Sequence, residues 1–379
     1  MYEIQRGSAP DFPEVMARVA ASFRERNPTH AWFEELCPDS VRPESMDQWL
    51  LARLDGELAA GLQLVPRAFV AARQVELPGM GLGNVFCYPP YRARGLMGAL
   101  LERGIADMVA GGIGVCLLGG DRTRYGNYGW EHAGAERVLT LSAGVTRFEG
   151  GQPVSAVDLR VWNGDLGDLL RLLEAYSALP YRTERSAPEC GRVLQRPGQV
   201  VWICDRPGTG FGYVSVRGGN VLEYGGSQEA VGRLVRFLLQ SGSWTVALPP
   251  VEAETELEKL FLHHAQSYLV RPAGMIRILS MRTVLEAYRP VLRARLQAWS
   301  GDLTLRATDT RETVRIVGDA GSLKVEDAPA EAVALELSRR ELAQLFFGPF
   351  PPDLGDGFRH SAVRRLFPLP FYCHALAHV

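Results

Sequence analysis

The sequence contains very little lysine, and positive charge accumulates nowhere along it. Lys259 and Lys324 are its only lysines, and the arginines are scattered among acidic residues, so the formal net charge is -2 over 379 residues. A protein that tracks a nucleic-acid backbone carries a basic stripe or block. Nucleic acid is therefore not expected as a partner.

Long apolar runs and closely spaced cysteines are also missing. No stretch is apolar for long enough to cross a bilayer, and the start at Met1 is not followed by the basic and apolar regions of a secretion signal. The six cysteines are far apart and form no Cys-x-x-Cys pair, and the adjacent His263 and His264 have no carboxylate or cysteine at ligand spacing. These absences predict a cytoplasmic protein with reduced thiols, no membrane partner and no metal.

The apolar content is sufficient for more than one hydrophobic core. Apolar residues make up 46% and charged residues 22% of the chain, close to the average of soluble globular proteins. A length of 379 residues exceeds what one core usually organises. Helix and strand signals alternate along the chain, with a boundary signal between Gly150 and Pro153. The sequence predicts an α/β fold of two or three domains.

The pattern before residue 110 is that of strands leading into a helix. Asp55-Gly56 is typical of a hairpin turn, and Leu58 to Val65, Val70 to Leu77 and Gly81 to Tyr88 are predicted strands. An amphipathic helix is predicted from about Gly95 to Val109. The connection between the last of these strands and the helix therefore falls within residues 89–95.

That connection combines arginines with glycines at the start of a helix. A helix N-terminus presents unpaired backbone N–H groups and a partial positive charge. Gly95 and Gly98 allow the backbone to approach a bulky anion, and Arg92 and Arg94 add positive charge. A pyrophosphate fits such a turn, although an ordinary strand-to-helix turn with surface arginines has the same composition.

The order of elements around this turn resembles that of the GNAT acetyltransferases. In that family Arg or Gln, two residues, Gly, one residue and then Gly or Ala hold the pyrophosphate of coenzyme A, and here Arg92, Gly95 and the larger Met97 stand at those positions. The resemblance implies acetyl-CoA (acetyl-coenzyme A) as the acyl donor. The implied donor-binding residues are Val85, Phe86, Cys87, Arg92, Ala93, Arg94, Gly95, Leu96, Met97 and Gly98.

Over essentially its full length the chain resembles the Eis (enhanced intracellular survival) type of GNAT protein. The matching blocks are Ile4-Gln5-Arg6 with Asp11, Tyr91 to Gly98, Tyr125 to Trp130, Gly212-Tyr213-Val214 with Glu223, and Met275-Ile276-Arg277 leading into Tyr288-Arg289-Pro290. The resemblance implies two GNAT-type mixed-sheet domains in tandem, 1–148 and a degenerate 149–274, and a sterol-carrier-like α+β domain, 275–379. It also implies a homo-oligomer, namely a hexamer.

The same resemblance assigns roles in catalysis. Tyr125 is implied as the general acid that protonates the departing thiolate. The C-terminal carboxylate of Val379 is implied as the base, with His378 as a rival because this chain lacks the acid and aromatic residue with which family members commonly end. Residues 367–372 are apolar and stiffened by prolines, so the tail is predicted to pack between domains.

Further roles concern the oxyanion and the acceptor. A backbone N–H at Phe86 or Cys87 is expected to bind the oxyanion of the tetrahedral intermediate. Trp32 and Phe86 are expected to contact the acceptor. The expected reaction is direct N-acetylation of an amine in a ternary complex, and the acceptor is an aminoglycoside, a polyamine, a small arylamine or a protein lysine.

Two other functions stay open. An aminoacyl transferase with tandem GNAT-like domains would draw on charged transfer RNA, and it should carry a basic face. A non-enzymatic module that binds lipid or acyl-CoA is suggested by the third domain.

Overall fold

The computed structural model describes residues 2–24, 37–144, 159–250, 255–296, 300–319, 321–329, 331–332, 335–354 and 361–377. These residues form three β-sheets covered by helices, which confirms the predicted mixed α/β class. Each sheet with the helices packed on it is called a unit, and the units are numbered in the order in which the sheets are described below. The strands are β1 (Tyr2–Arg6), β2 (Trp49–Leu54), β3 (Glu57–Ala71), β4 (Val75–Cys87), β5 (Val115–Leu118), β6 (Glu131–Ala133), β7 (Glu136–Leu141), β8 (Leu159–Val161), β9 (Arg182–Thr183), β10 (Val200–Arg206), β11 (Gly210–Arg217), β12 (Asn220–Gly226), β13 (Trp244–Leu248), β14 (Ala265–Arg271), β15 (Gly274–Ile278), β16 (Gly301–Ala307), β17 (Thr313–Asp319), β18 (Ser322–Asp327) and β19 (Leu335–Leu337).

The described helices separate groups of one to four of these strands. They are α1 (Phe12–Arg24), α2 (Leu96–Ala110), α3 (Arg122–Tyr125), α4 (Leu166–Ser177), α5 (Ala187–Leu194), α6 (Gln228–Leu239), α7 (Glu256–His263), α8 (Met281–Ala287), α9 (Arg289–Arg295), α10 (Arg339–Phe347) and α11 (Ser361–Leu366). Within the described ranges, none of these helices has the length and apolar character needed to span a membrane.

The first sheet has the strand order β1-β2-β3-β4-β5-β15-β6, with β9 paired to β3. Its centre is one long hairpin of β3 and β4, with 15 and 13 residues. The predicted division of this region into three strands was wrong. The hairpin turns within residues 72–74, where Ala72 and Arg73 adopt positive φ angles of 49° and 67° without a glycine to signal the turn.

The second sheet interlocks with the first. Its order is β14-β7-β13-β12-β11-β10-β8, so β7, which precedes residue 148 in the chain, lies in this sheet. Conversely, β15 follows the second stretch and inserts between β5 and β6 of the first sheet. The domain boundaries given above stay predictions.

The third sheet, with the order β18-β17-β16-β19, shares its core with the C-terminal tail. Phe371, Tyr372, His374 and Ala377 are buried, and the Tyr372 hydroxyl donates to the carbonyl of Ala247 at 2.8 Å. The tail up to Ala377 is therefore packed between units, as its apolar, proline-containing sequence predicts. The similarity of this unit to sterol carrier proteins stays a prediction.

Candidate active site

A cavity of about 640 Å³ opens where β4 and β5 part. The two strands pair in parallel from Gly79–Val115 to Gly81–Leu117, after which β5 ends and β4 continues to Cys87. The residues that line the cavity include all ten donor-binding residues implied by the resemblance together with Tyr125: Val85, Phe86, Cys87, Arg92, Ala93, Arg94, Gly95, Leu96, Met97 and Gly98.

A bulge in β4 marks the point where the strands part. Asn84 has a φ of +52°, and the register of β4 against β3 shifts between Gly61 and Gln63. The Asn84 amide donates to Oε1 of the buried Gln63 at 2.7 Å, and Gln63 in turn donates to the Ser40 carbonyl at 2.6 Å. A bulge bends its strand and increases the local twist, so this amide chain fixes the opening of the cleft. The signal in the sequence was Gly83-Asn84 inside an apolar strand.

The direction of the strand selects one backbone N–H for the cavity. The Tyr88 N–H donates to the Ala59 carbonyl of β3 at 2.9 Å. Successive N–H groups of a strand point to opposite sides, so the Phe86 N–H also faces β3 and the Cys87 N–H faces the cavity. Of the two oxyanion donors predicted from the sequence, the geometry favours Cys87.

The start of α2 provides the positive end of a helix dipole. Gly95 precedes the helix with a φ of +76° and has no side chain to cap it, and the first intrahelical bond runs from the Ala99 N–H to the Gly95 carbonyl at 3.1 Å. The N–H groups of residues 96–98 therefore have no partner within the helix. Phosphate oxygens are suitable partners for such groups.

Two arginines and one glycine shape the entry to this helix. Arg94 is exposed, with its guanidinium 5.8 Å from the centre of the Tyr91 ring, and Arg92 Nε donates to the Cys87 carbonyl at 3.3 Å. A Cβ atom at position 98 would stand 2.8 Å from the Tyr128 hydroxyl oxygen, so Gly98 permits a close approach. The Met97 side chain packs against the core of the first sheet, which explains how a large residue fits where the family has a small one.

Tyr125 is fixed at the end of α3. Its side chain is 7% exposed, and its ring meets Trp130 edge to face with centroids 6.4 Å apart. A Cβ atom at position 120 would lie 2.5 Å from the Tyr125 ring, so the ring packs directly on the Gly120 backbone. A tyrosine that is packed on several sides and lines a cavity has a defined position for its hydroxyl group.

The carboxylate and the two thiols that line the cavity are poor bases or nucleophiles. The Asp121 carboxylate accepts hydrogen bonds from the Thr123 N–H and hydroxyl, both at 2.8 Å, and these bonds lower the pKa of Asp121. Burial raises the pKa of the thiols of Cys37 and Cys87, so both stay protonated at neutral pH. In the described part of the chain, no three His, Cys, Asp or Glu side chains group in a way that could hold a metal ion.

The last predicted residues are those expected to contact the acceptor or to act as the base. Phe86 is 2% exposed and packs against Trp49 with ring centroids 6.5 Å apart, so it forms a wall of the cavity and a part of the core at once. Trp32, His378 and Val379 lie outside the described residues.

The described end of the tail contacts the first sheet. The Ala377 carbonyl accepts from Arg67 Nε at 3.4 Å, and Arg67 lies 3.9 Å from the Asp39 carboxylate. Asp39 also pairs with Arg196 of the second unit at 2.7 Å, and it follows Cys37, a lining residue, by two positions. These contacts connect the tail, the second unit and the cavity wall.

Comparison with known proteins places the cavity in a familiar domain. The acetyltransferase (GNAT) domain family matches residues 3–133, the segment that spans β1 to β6 and contains all of the residues that line the cavity. Among curated proteins, none matches this chain in sequence. The chain therefore carries a GNAT acetyltransferase domain, which confirms the expected enzyme class and acetyl-CoA as its donor.

Three solved structures share the fold along the whole chain. A conserved protein from Enterococcus faecalis is 16% identical over 99% of both chains, with a TM-score of 0.73. The GCN5-related N-acetyltransferase from Kribbella flavida is 18% identical over 100% of this chain and 98% of its own, with a TM-score of 0.67. Eis1 from Mycobacterium abscessus is 14% identical over 100% of both chains, with a TM-score of 0.69. At this level of identity the likeness shows the fold, including that of the parts outside the GNAT domain.

Proposed function

We propose that this protein transfers the acetyl group of acetyl-CoA directly to an amine in a ternary complex, with Tyr125 as the general acid and the carboxylate of Val379 as the base. The observation that carries the proposal is the content of one cavity. It combines an uncapped helix start, two arginines and a buried tyrosine. Each of these groups meets one chemical requirement of acyl transfer.

The donor's pyrophosphate is held by the start of α2. The free N–H groups of residues 96–98 and the partial positive charge of the helix attract an anion, and the exposed Arg94 adds a full charge. The pantetheine arm then extends along the end of β4, where the cleft between β4 and β5 is open.

Acyl transfer requires an oxyanion donor and an acid. The amine nitrogen attacks the thioester carbonyl carbon, and the resulting oxyanion accepts from the Cys87 N–H, the group that faces the cavity. When the C–S bond breaks, the thiolate of coenzyme A takes the proton of the Tyr125 hydroxyl. Because the thiols of Cys37 and Cys87 stay protonated, a route through an acylated cysteine is disfavoured relative to direct transfer.

The base must take a proton from an amine that is mostly charged at neutral pH. A free α-carboxylate has a pKa of about 3.3–3.7 and becomes a better base only where apolar surroundings raise it. The burial of the tail as far as Ala377 and its contact with Arg67 support a role for the last residues. His378 is the alternative base.

The acceptor is a small-molecule amine or a protein lysine. A binding module without enzymatic activity would hold the donor in the same cavity, but it would not release its thiol. Release of coenzyme A thiol from acetyl-CoA should therefore be measured across a panel of aminoglycosides, polyamines, arylamines and lysine peptides. We expect at least one amine to increase release, whereas donor binding without release under any amine would favour the binding module.

Tyr125→Phe tests the acid. The variant should bind acetyl-CoA as the parent does, while its turnover falls by about 10²–10⁴-fold, the usual contribution of a general acid. Tyr268→Phe is the matched control, because Tyr268 is 67% exposed on β14, at the edge of the second sheet. Full turnover in Tyr125→Phe would remove Tyr125 from the mechanism.

A C-terminal extension and a deletion of Val379 test the base. Both should abolish transfer and leave donor binding and the unfolding temperature unchanged, since the donor residues belong to another part of the chain. A tagged protein with full activity would shift the role of the base to His378.

A further inference from the structure

The segment that carries Tyr125 is held in place by residues that come much later in the chain. Residues 122–133 form α3, a short turn and β6, and they lie against β15 and α10. Besides the backbone pairing of β6 with β15, two arginines contact this segment, namely Arg277 of β15 and Arg340 of α10. Arg277 belongs to one of the sequence blocks singled out above, and the chemistry of transfer has given it no role.

Arg277 contacts the turn that follows Tyr125. Its Nη1 donates to the Tyr128 carbonyl, and its guanidinium lies 5.7 Å from the centre of the Trp130 ring. Gly129 has a φ of +85°, and a Cβ atom there would collide with the Arg277 guanidinium, so the turn closes on Arg277 only because residue 129 has no side chain. Arg277 is 8% exposed, which keeps this contact out of solvent.

Trp130, which Arg277 covers, in turn contacts Tyr125. The indole N–H of Trp130 donates to the Cys116 carbonyl at 3.2 Å, and its backbone N–H donates to the Tyr125 carbonyl at 3.3 Å. Its ring meets the Tyr125 ring edge to face. The orientation of the Tyr125 ring therefore depends on a tryptophan that is itself covered by Arg277.

Arg340 braces the same segment through Glu131. The Glu131 carboxylate is 1% exposed and accepts from Arg122 at 2.5 and 2.7 Å and from Arg340 at 2.7 and 2.6 Å. Burial alone would raise the pKa of Glu131, but hydrogen bonds from Arg122, the His132 N–H and Arg340 lower it to about 2. Glu131 thus stays ionised, and it ties α3 to α10.

The third unit holds both arginines. Asp309, in the turn after β16, lies 3.5 Å from Arg277 and accepts from Arg339 of α10 at 2.9 Å. Since α10 also carries Arg340, Asp309 contacts both Arg277 and the helix on which Arg340 lies. None of the described residues of the third unit lines the cavity, yet these contacts connect the unit to Tyr125, which does.

We propose that Arg277 and Arg340 are positioning residues, through which the third unit sets the orientation of Tyr125. The inference rests on the proposed role of Tyr125 as the acid. A reacting group must be held to within about 0.5 Å of its productive position, and a misplacement of 1 Å from a distant change lowers the rate by about 10²-fold. The two arginines hold the segment that carries Tyr125, and neither of them lines the cavity.

The test is a double-mutant cycle. Arg277→Met and Arg340→Gln should each lower kcat by about 10-fold or more, with the dissociation constant of acetyl-CoA changed by less than about twofold. Arg277→Lys should recover little, because an ammonium cannot both donate to the Tyr128 carbonyl and lie flat over the Trp130 ring. Arg282→Gln is the matched control, since Arg282 pairs with Asp327 at the surface of the same unit and should leave kcat unchanged.

The decisive measurement repeats these changes in the Tyr125→Phe background. If the arginines act by orienting the Tyr125 hydroxyl, they lose their effect on kcat once that hydroxyl is gone. A full, additive loss in that background, or an unchanged kcat in both single variants, would overturn the inference and leave the role of Tyr125 intact. Full turnover of Tyr125→Phe alone would instead contradict the proposed acid. Should Arg277→Met fail to fold, Arg340→Gln decides, because Arg340 is 39% exposed and its loss is tolerated more easily.

Discussion

Two parts of this chain have the same order of strands and helices, but only one of them forms the cavity. In the first sheet β2, β3 and β4 lead through α2 to β5, and in the second β10, β11 and β12 lead through α6 to β13. In both, the strand before the helix pairs in parallel with the strand after it. A shared topology therefore does not by itself make a binding site.

The difference lies first in the helix starts. At α6 the Ser227 hydroxyl accepts from the Ala230 N–H at 3.2 Å, and the Ser227 N–H donates to the Phe211 carbonyl at 2.8 Å. At α2 the corresponding residue is Gly95, which has no side chain to accept from the N–H groups of residues 96–98. At the capped start a side-chain oxygen already occupies one N–H group of the helix, whereas at the uncapped start no side chain does so.

The buried polar groups of the two units also differ. In the second unit Glu223 is fully buried and is bound by Arg185 at 2.7 Å and by the Tyr213 hydroxyl at 2.9 Å. In the first unit Asn84 of β4 and Gln63 of β3 hold a bulge that opens the sheet. One set of buried polar groups completes a core, and the other maintains a cleft.

The largest expected effect is a loss of stability when the buried ion pair of the second unit is broken. Arg185→Met leaves the Glu223 carboxylate without its cation, and the free energy of unfolding should fall by about 3–5 kcal/mol. Urea unfolding measures the loss, and acetyl-CoA affinity of the folded protein should not change. Arg171→Met is the control, because its ion pair with Asp205 is 42% and 37% exposed and contributes about 1 kcal/mol at most. An equal loss of unfolding free energy in the two variants would show that the Arg185–Glu223 pair is not part of a buried core.

The next effect concerns the open helix start. Arg94→Ala removes a charge-assisted contact to phosphate, so acetyl-CoA binding should weaken by about 1.5–3 kcal/mol in calorimetric titration. The free energy of unfolding should change by less than about 0.5 kcal/mol, because the side chain is exposed. Arg92→Ala should act in the same direction.

Arg103→Ala controls for the loss of any arginine near α2. Arg103 is on the same helix, pairs with Asp107 and is 51% exposed, but it does not line the cavity. Unchanged donor affinity in Arg94→Ala and Arg92→Ala would remove the pyrophosphate from this turn.

The smallest effect is at the capped helix start. Ser227→Ala should lower the free energy of unfolding by about 1 kcal/mol, because the Ala230 N–H loses its acceptor. Donor affinity and turnover should be unchanged. Ser227→Gly should cost only a few tenths of a kcal/mol, since glycine leaves the cap open to water. A change in donor affinity in either variant would mean that the second helix start also binds the donor.

Local features were predictable from the sequence because local physics determines them. The helix predicted from Gly95 to Val109 is Leu96–Ala110 in the structure, since apolar periodicity and the glycine before it mark its ends. The turn with Arg92 and Arg94 was predicted to bind a pyrophosphate because of the order of elements around it, since its own residues also fit an ordinary turn. The burial of the tail followed from its apolar, proline-rich composition.

Tertiary structure decided the features that depend on partners distant in the chain. The bulge at Asn84 is held by Gln63, the strand β15 inserts beside β5, and Arg277 and Arg340 clasp the segment of Tyr125. A period of two residues marks a strand but not its neighbour, and a lone arginine does not reveal its carboxylate or carbonyl. Such pairings follow only when the whole chain buries its apolar surface and must satisfy the polar groups buried with it.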